Sequence, residues 1–171
     1  MNNYIKTKGW LQEALWEIDG FINARDNNDW AHAVYYLQQS VEKSCKAIIS
    51  FLGIEVKHTH FPAEEIIEQG IIENSDEIKR LNLKENDLSL LREIVNYAKS
   101  FETEKTKPRY GKELKNRIVL PTEIYTAEKS ARLFEYGFKF WNIILEFFKK
   151  FNIKELKKVL ADIDAKIKKS K

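Results

Sequence analysis

Gln39, Glu42, Lys43 and Lys46 fall at i, i+3, i+4 and i+7 of one segment. On a helix that spacing sets them along a single face, and Tyr35 extends the face by one turn. An amide, a carboxylate and two ammonium groups in a row support two readings. One is a solvated outer face with a Glu42–Lys46 pair worth about 0.3 kcal/mol. The other is a face turned into a cleft or a subunit interface, where its charges must be paired or must meet a ligand. In the second reading Gln39 and Glu42 orient and hydrogen-bond a ligand while Lys43 and Lys46 neutralise phosphate.

Further along, Arg109 and Tyr110 add a guanidinium and an aromatic ring. The chain has no glycine-rich phosphate loop, so any nucleotide phosphate must be held by side chains. Lys43, Lys46 and Arg109 are the candidates, with Tyr110 or Tyr35 able to stack on a base. The plainer reading of Arg109-Tyr110 is a loop pinned to the bundle by a salt bridge. His58-Thr59-His60 offers two imidazoles without cysteines nearby, too few ligands for a metal site, so no metal and no cofactor are expected. His60 reads as a buried, hydrogen-bonded anchor or as a lining residue of the polar cleft. Cys45 falls on the opposite, apolar side of its helix with Ala33, Leu37, Val41, Ile48 and Leu52, away from any activating histidine.

The elements that must carry these residues are helical. Periodicity near 3.6 dominates, and no convincing period-2 run appears. The spacing predicts helices over residues 4–25, 30–52, 62–69 and 88–102, a polar loop over 104–121, and a long helix opening at Thr122 or Thr126. Asp29 suits an N-cap, Gly53 a C-terminal cap, and Pro62 the first position of the third helix. The fifth helix carries Ala131, Phe134, Phe138, Trp141, Ile144, Leu145 and Phe148, an aromatic stripe that reads as core. Asn152 breaks it, and Ile153, Leu156, Val159, Leu160, Ile163 and Ile167 mark a last amphipathic helix. The expectation is an all-α antiparallel bundle of about five helices over residues 1–151 and a lysine-rich helical extension over 152–171.

Composition narrows the function classes. The 171 residues, 43% apolar, suffice for one domain with a real core. One cysteine excludes an internal disulfide and a cysteine-rich zinc site, and reads as a reducing, cytoplasmic setting. No run of about 18 apolar residues exists to span a bilayer, and the N-terminal stretch shows no apolar signal core. Net charge is +3, but residues 149–171 hold nine lysines against three carboxylates, a local +6 that leaves −3 for the first 148 residues. Charge alone therefore does not make the whole chain a basic nucleic-acid binder. The apolar stripe of the last helix points to docking on the bundle or on a second subunit rather than to lying on RNA or lipid.

The string Gln39-x-x-Glu42-Lys43-x-x-Lys46-Ala47 resembles the signature helix of the HEPN (higher eukaryotes and prokaryotes nucleotide-binding) family. So do Trp30-Ala31-x-Ala33-x-Tyr35-Tyr36 before it, Thr59-His60 after it, Pro108-Arg109-Tyr110, and the approach PTEIYTAEKSA to the last long helix. The likeness spans residues 4–151. It implies a helical bundle that commonly dimerises, binding of a nucleotide or RNA at Gln39, Glu42, Lys43, Lys46, His60, Arg109 and Tyr110, and a minimal nucleotidyltransferase as partner in a toxin–antitoxin pair. Other family members are metal-independent ribonucleases that use an Arg-x(4–6)-His motif in the C-terminal half. This chain departs from that motif: its histidines are His32, His58 and His60, none of them C-terminal. Arg25 and His32 have the spacing, but at the junction of the first two helices. The leading expectation is therefore ligand binding. A ribonuclease with an atypical site and a dimeric interaction scaffold are the alternatives.

Overall fold

The computed structural model describes residues 3–56 and 58–170. The chain is all-α, with a single two-stranded hairpin among the described residues. In chain order the elements are α1 (Asn3–Asp26), α2 (Trp30–Phe51), a π-helix (Ala63–Ile72), α3 (Ser75–Arg80), α4 (Glu85–Glu102), α5 (Lys107–Tyr110), β1 (Lys112–Leu114), β2 (Arg117–Val119), α6 (Pro121–Ile124), α7 (Ala127–Phe151) and α8 (Lys157–Ser170).

Helices α1 and α2 form the most extensive pair. Asn28, in the left-handed region at φ 59°, turns the chain between them. The Asp29 carboxylate then accepts from the His32 backbone N–H, satisfying a free donor at the start of α2. The two helices come close at Gly20, where a Cβ would lie 2.7 Å from the Tyr36 ring. Across this pair pack α7 and α4. Phe21 meets Phe134 edge-on at 5.0 Å and Trp141 at 5.6 Å between ring centres. The aromatic stripe of α7 is core, with Phe134, Trp141, Ile144, Leu145 and Phe148 buried. Its centre is rotated from the expectation: Ala131 is exposed and Phe138 half-buried, while Leu133, Phe140 and Phe147 point inward. Thr126 caps α7 through the Lys129 N–H, and Asn152 ends it in the left-handed region.

Helix α8 docks against α1 and α7. Val159, Leu160, Ile163 and Ile167 are buried, Lys166 pairs with Asp19 at 2.6 Å, and Arg25 donates to the Ser170 carbonyl at 2.6 Å. Its lysine-rich side is partly neutralised by Asp164, which pairs with Lys149 and Lys168.

Further departures from expectation lie between α2 and α7. The third helix starts at Ala63, with Pro62 as its N-cap, and is a π-helix running to Ile72. Its buried residues, Ala63, Ile66, Ile67 and Ile71, fall at i, i+3, i+4 and i+8, a spacing that an α-helix shares, so periodicity announces a helix here without telling the π form from the α form. The fourth begins at Glu85, where Asp87 at N3 reaches back to the Lys84 N–H. The polar loop contains α5, the hairpin and α6. These are three- and four-residue elements, and the strands have no buried face to impose alternation.

Candidate functional site

Three walls enclose a groove of about 430 Å³. Helix α2 supplies Tyr35, Gln38, Gln39 and Glu42. The segment before the π-helix supplies His60 and Phe61, and the α4–α5 turn with α5 supplies Lys105, Thr106, Arg109 and Tyr110. Local chemistry ties the walls together. The Gln38 amide donates to the carbonyls of Phe101 at 3.0 Å and Lys105 at 2.9 Å, satisfying the free end of α4 from α2. The Glu102 carboxylate, buried at the end of α4, accepts from the N–H groups of Ala63 at 2.8 Å and Glu64 at 3.2 Å. Thr59 Oγ1 accepts from the Phe61 N–H at 2.9 Å and turns the chain into the groove wall.

Burial pushes the Glu102 carboxyl up to about 7, against the lowering effect of its two N–H donors, with the Glu64 and Glu42 carboxylates adding to the rise. Burial likewise raises the Cys45 thiol, which lies fully enclosed in the core as its helix position predicts.

The polar face of α2 is split. Gln39 and Glu42 turn to the groove, whereas Lys43 and Lys46 turn to α1 and do not line it. Their ammonium groups sit 5.5 Å and 5.3 Å from the centre of the Trp10 ring, and Lys43 lies 4.0 Å from Glu13. The solvated-face reading fails for Glu42 and Lys46, whose side chains are 8% and 9% exposed and pair at 2.6 Å. Glu42 bridges two groups, since its second oxygen lies 3.2 Å from His60 Nδ1. His60 is not the buried anchor of the first reading. Its side chain is 78% exposed and lines the groove.

Arg109 has no carboxylate partner among the described residues, so it makes no salt bridge to pin its loop; the ion pair there is Lys107 with Glu104 at 3.7 Å. Its guanidinium lies 5.8 Å from the centre of the Tyr35 ring and 5.2 Å from that of Tyr110. Lys105, at φ 50° on the groove lip, also lacks an ion pair among the described residues, and the Gln39 amide makes no hydrogen bond there. The groove therefore offers two unneutralised cations, a free amide, an exposed imidazole and two tyrosine rings. Its one carboxylate, Glu42, is already paired. That balance suits an anion flanked by a flat ring.

Two clefts of nearly twice the volume suit it less. In one, of about 820 Å³ between α4, α7 and α8, the cations are engaged: Lys150 with Asp87 and Lys149 with Asp164. In the other, of about 790 Å³ beside Trp10, Glu13 and Glu55 oppose a lone Lys6. Arg25 and His32 do not form a site: Arg25 serves Asp26 and Ser170, and His32 pairs with Asp29 at 2.7 Å. No group of three or more His, Cys, Asp or Glu side chains is placed to hold a metal among the described residues.

A family model for the HEPN domain matches residues 7–151. The chain belongs to the HEPN family. Its work is accordingly nucleotide- or RNA-related, and HEPN domains often dimerise. No curated protein and no solved structure matches the chain. Among the described residues no helix is long and apolar enough to cross a membrane.

Sequence reasoning missed Gln38, Glu102 and Lys105. Glu102 did leave a signal. A carboxylate at the C-terminal end of a helix opposes the helix dipole, so it calls for a partner elsewhere in the fold.

Proposed function

We propose that this HEPN domain binds the phosphate and base of a nucleotide or RNA in the groove between α2, His60 and α5. Arg109 and Lys105 face the phosphate, Gln39 and the Glu42–His60 pair orient it, and Tyr110 with Tyr35 stacks the base. Lys43 and Lys46 act from behind, Lys46 by holding Glu42. The carrying observation is that Arg109 lies against two tyrosine rings with no acidic partner among the described residues. A guanidinium left without a counterion at the mouth of a groove favours an anionic ligand. In the same reading the domain works as a homodimer and with a minimal nucleotidyltransferase in a toxin–antitoxin-type module, and the frequent dimerisation of HEPN domains supports the first part. Isothermal titration with AMP, ATP and short RNAs tests the reading. Binding that weakens on the order of tenfold or more in Arg109→Ala supports it, since hydrogen bonds to charged groups are worth ~1.5–3 kcal/mol. Unchanged affinity contradicts it.

A second reading draws on the 3.2 Å contact between His60 and Glu42 in the same groove. An exposed imidazole oriented by a carboxylate, with a guanidinium in the same groove, has the acid–base and charge-stabilising parts that RNA cleavage needs. RNA cut by the purified protein, and left intact by His60→Ala, supports a ribonuclease with an atypical site. RNA left intact by the unaltered protein removes that reading.

A further inference from the structure

Every residue from Lys112 through Ile118 is exposed, so the hairpin after α5 buries neither face against its own chain over that stretch. A lone two-stranded hairpin is marginal in water, and this one is held at its base. Gly111 takes φ 75°, and a Cβ there would collide with the Val119 carbonyl oxygen, so only glycine closes the strands at this point. Where the second strand leaves the hairpin, Glu123 accepts from the Leu120 N–H at 2.8 Å and pairs with Arg117 at 2.9 Å. A hairpin so fixed, yet adding nothing to the core, is organised for something outside the chain.

Its charges are sorted. Lys112 pairs with Val119 in the ladder, and Leu114 with Arg117, so these four share one face; Glu113 and Ile118 share the other. One face thus carries Lys112, Leu114, Val119 and Arg117, the arginine already paired with Glu123, and the only carboxylate of the two strands is on the opposite side, so the free cations of the arm are Lys112 and Lys115. Lys115 lies in the connecting turn, about 13 Å from Gly111 at ~3.3 Å per residue. Neither Lys112 nor Lys115 has an ion pair among the described residues, and the same holds for Lys105 and Arg109 at the groove. Tyr110, 62% exposed, stands at the junction between the two sets.

We propose that the Lys112–Leu114–Arg117 face of the hairpin carries the backbone of a single-stranded RNA out of the groove, so that the site takes a strand of several nucleotides rather than a free mononucleotide. This rests on the groove being a phosphate site. Cations along the arm displace counterions from successive phosphates, Tyr110 and Arg109 stack the base where the strand leaves the groove, and Leu114 and Val119 meet the sugar edge.

Fluorescence anisotropy with labelled oligouridines of 2, 4, 8 and 12 nucleotides, beside calorimetry with AMP, tests the arm. The unaltered protein is expected to bind the octamer at least about tenfold more tightly than the dimer. Lys112→Ala with Lys115→Ala is expected to weaken octamer binding and to flatten the salt dependence by about 1.4 in log–log slope, ~0.7 per lost phosphate contact, while AMP binding holds. Equal affinity for dimer and octamer, or an unaltered octamer slope in the double variant, overturns the arm. If Arg109→Ala abolishes AMP binding and the double variant changes nothing, the groove stands and the arm falls. If the unaltered protein binds neither AMP nor any oligomer, both fall.

Discussion

Lys46 Nζ donates to Glu42 Oε1 at 2.6 Å, and both side chains are more than nine-tenths buried. The pair closes the back of the groove and aims the other Glu42 oxygen at His60. Removing one partner leaves a buried charge alone. Lys46→Ala is expected to lower stability by about 3–5 kcal/mol in urea unfolding, and the double change Glu42→Gln with Lys46→Met by less. Equal loss in the single and double variants would show that the pair is not electrostatically coupled.

The pH dependence of stability reports on Glu102. Its folded pKa, about 7, lies above the ordinary carboxylate value of 4.5. The native state therefore holds the proton more tightly than the unfolded chain. That contribution is fully present below about 4.5 and is lost as pH rises to about 7, on the order of 3 kcal/mol. Glu17, raised in the same direction chiefly by burial, adds to the slope. Asp87 and Asp164, lowered through their lysine partners, contribute with the opposite sign only in the acid range, so they leave this window clear. Urea unfolding from pH 5 to 8 is expected to show stability falling with pH, and Glu102→Gln to flatten much of that slope. A slope unchanged in the variant refutes the assignment.

What could be read from the chain, and what could not, follows physical lines. The long helices announced themselves through apolar spacing, Asp29 and one of Thr122 and Thr126 through cap chemistry, and Asn152 as the break in the apolar stripe, because these signals are local. Gln39, Glu42, His60, Arg109 and Tyr110 were nominated from motif order, and they converge on one groove. That Lys43 and Lys46 lie behind the groove rather than in its lining has a simple origin. A 3.6-residue repeat says which residues share a broad face, but not where a neighbouring helix divides it, and Trp10 of α1 does so here. Gln38 and Glu102 act across more than 35 residues of chain, through the Phe101 carbonyl and the Ala63 N–H, and no local pattern encodes such contacts.

Docking of α8 is testable by its core. Ile163 is 2% exposed between α1 and α7. Ile163→Ala is expected to cost about 2–5 kcal/mol, as for other buried isoleucines. A loss under about 0.5 kcal/mol, the range of surface changes, would mean that the helix is not anchored there in solution.

Arg109 is exposed, so its role separates cleanly from folding. Arg109→Lys keeps the charge but loses the planar fork that stacks on Tyr35 and Tyr110. Nucleotide affinity is expected to fall severalfold while the melting temperature stays unchanged. Full affinity in the lysine variant would reduce the residue to a point charge.

The central claim is where the ligand sits, and photocrosslinking of 4-thiouridine RNA followed by peptide mass spectrometry reads that directly. Crosslinks at Tyr35, Phe61 and Tyr110, lost in Arg109→Ala, are the predicted result. Crosslinks confined to the lysine-rich surface of α8, with none in the groove, would contradict it.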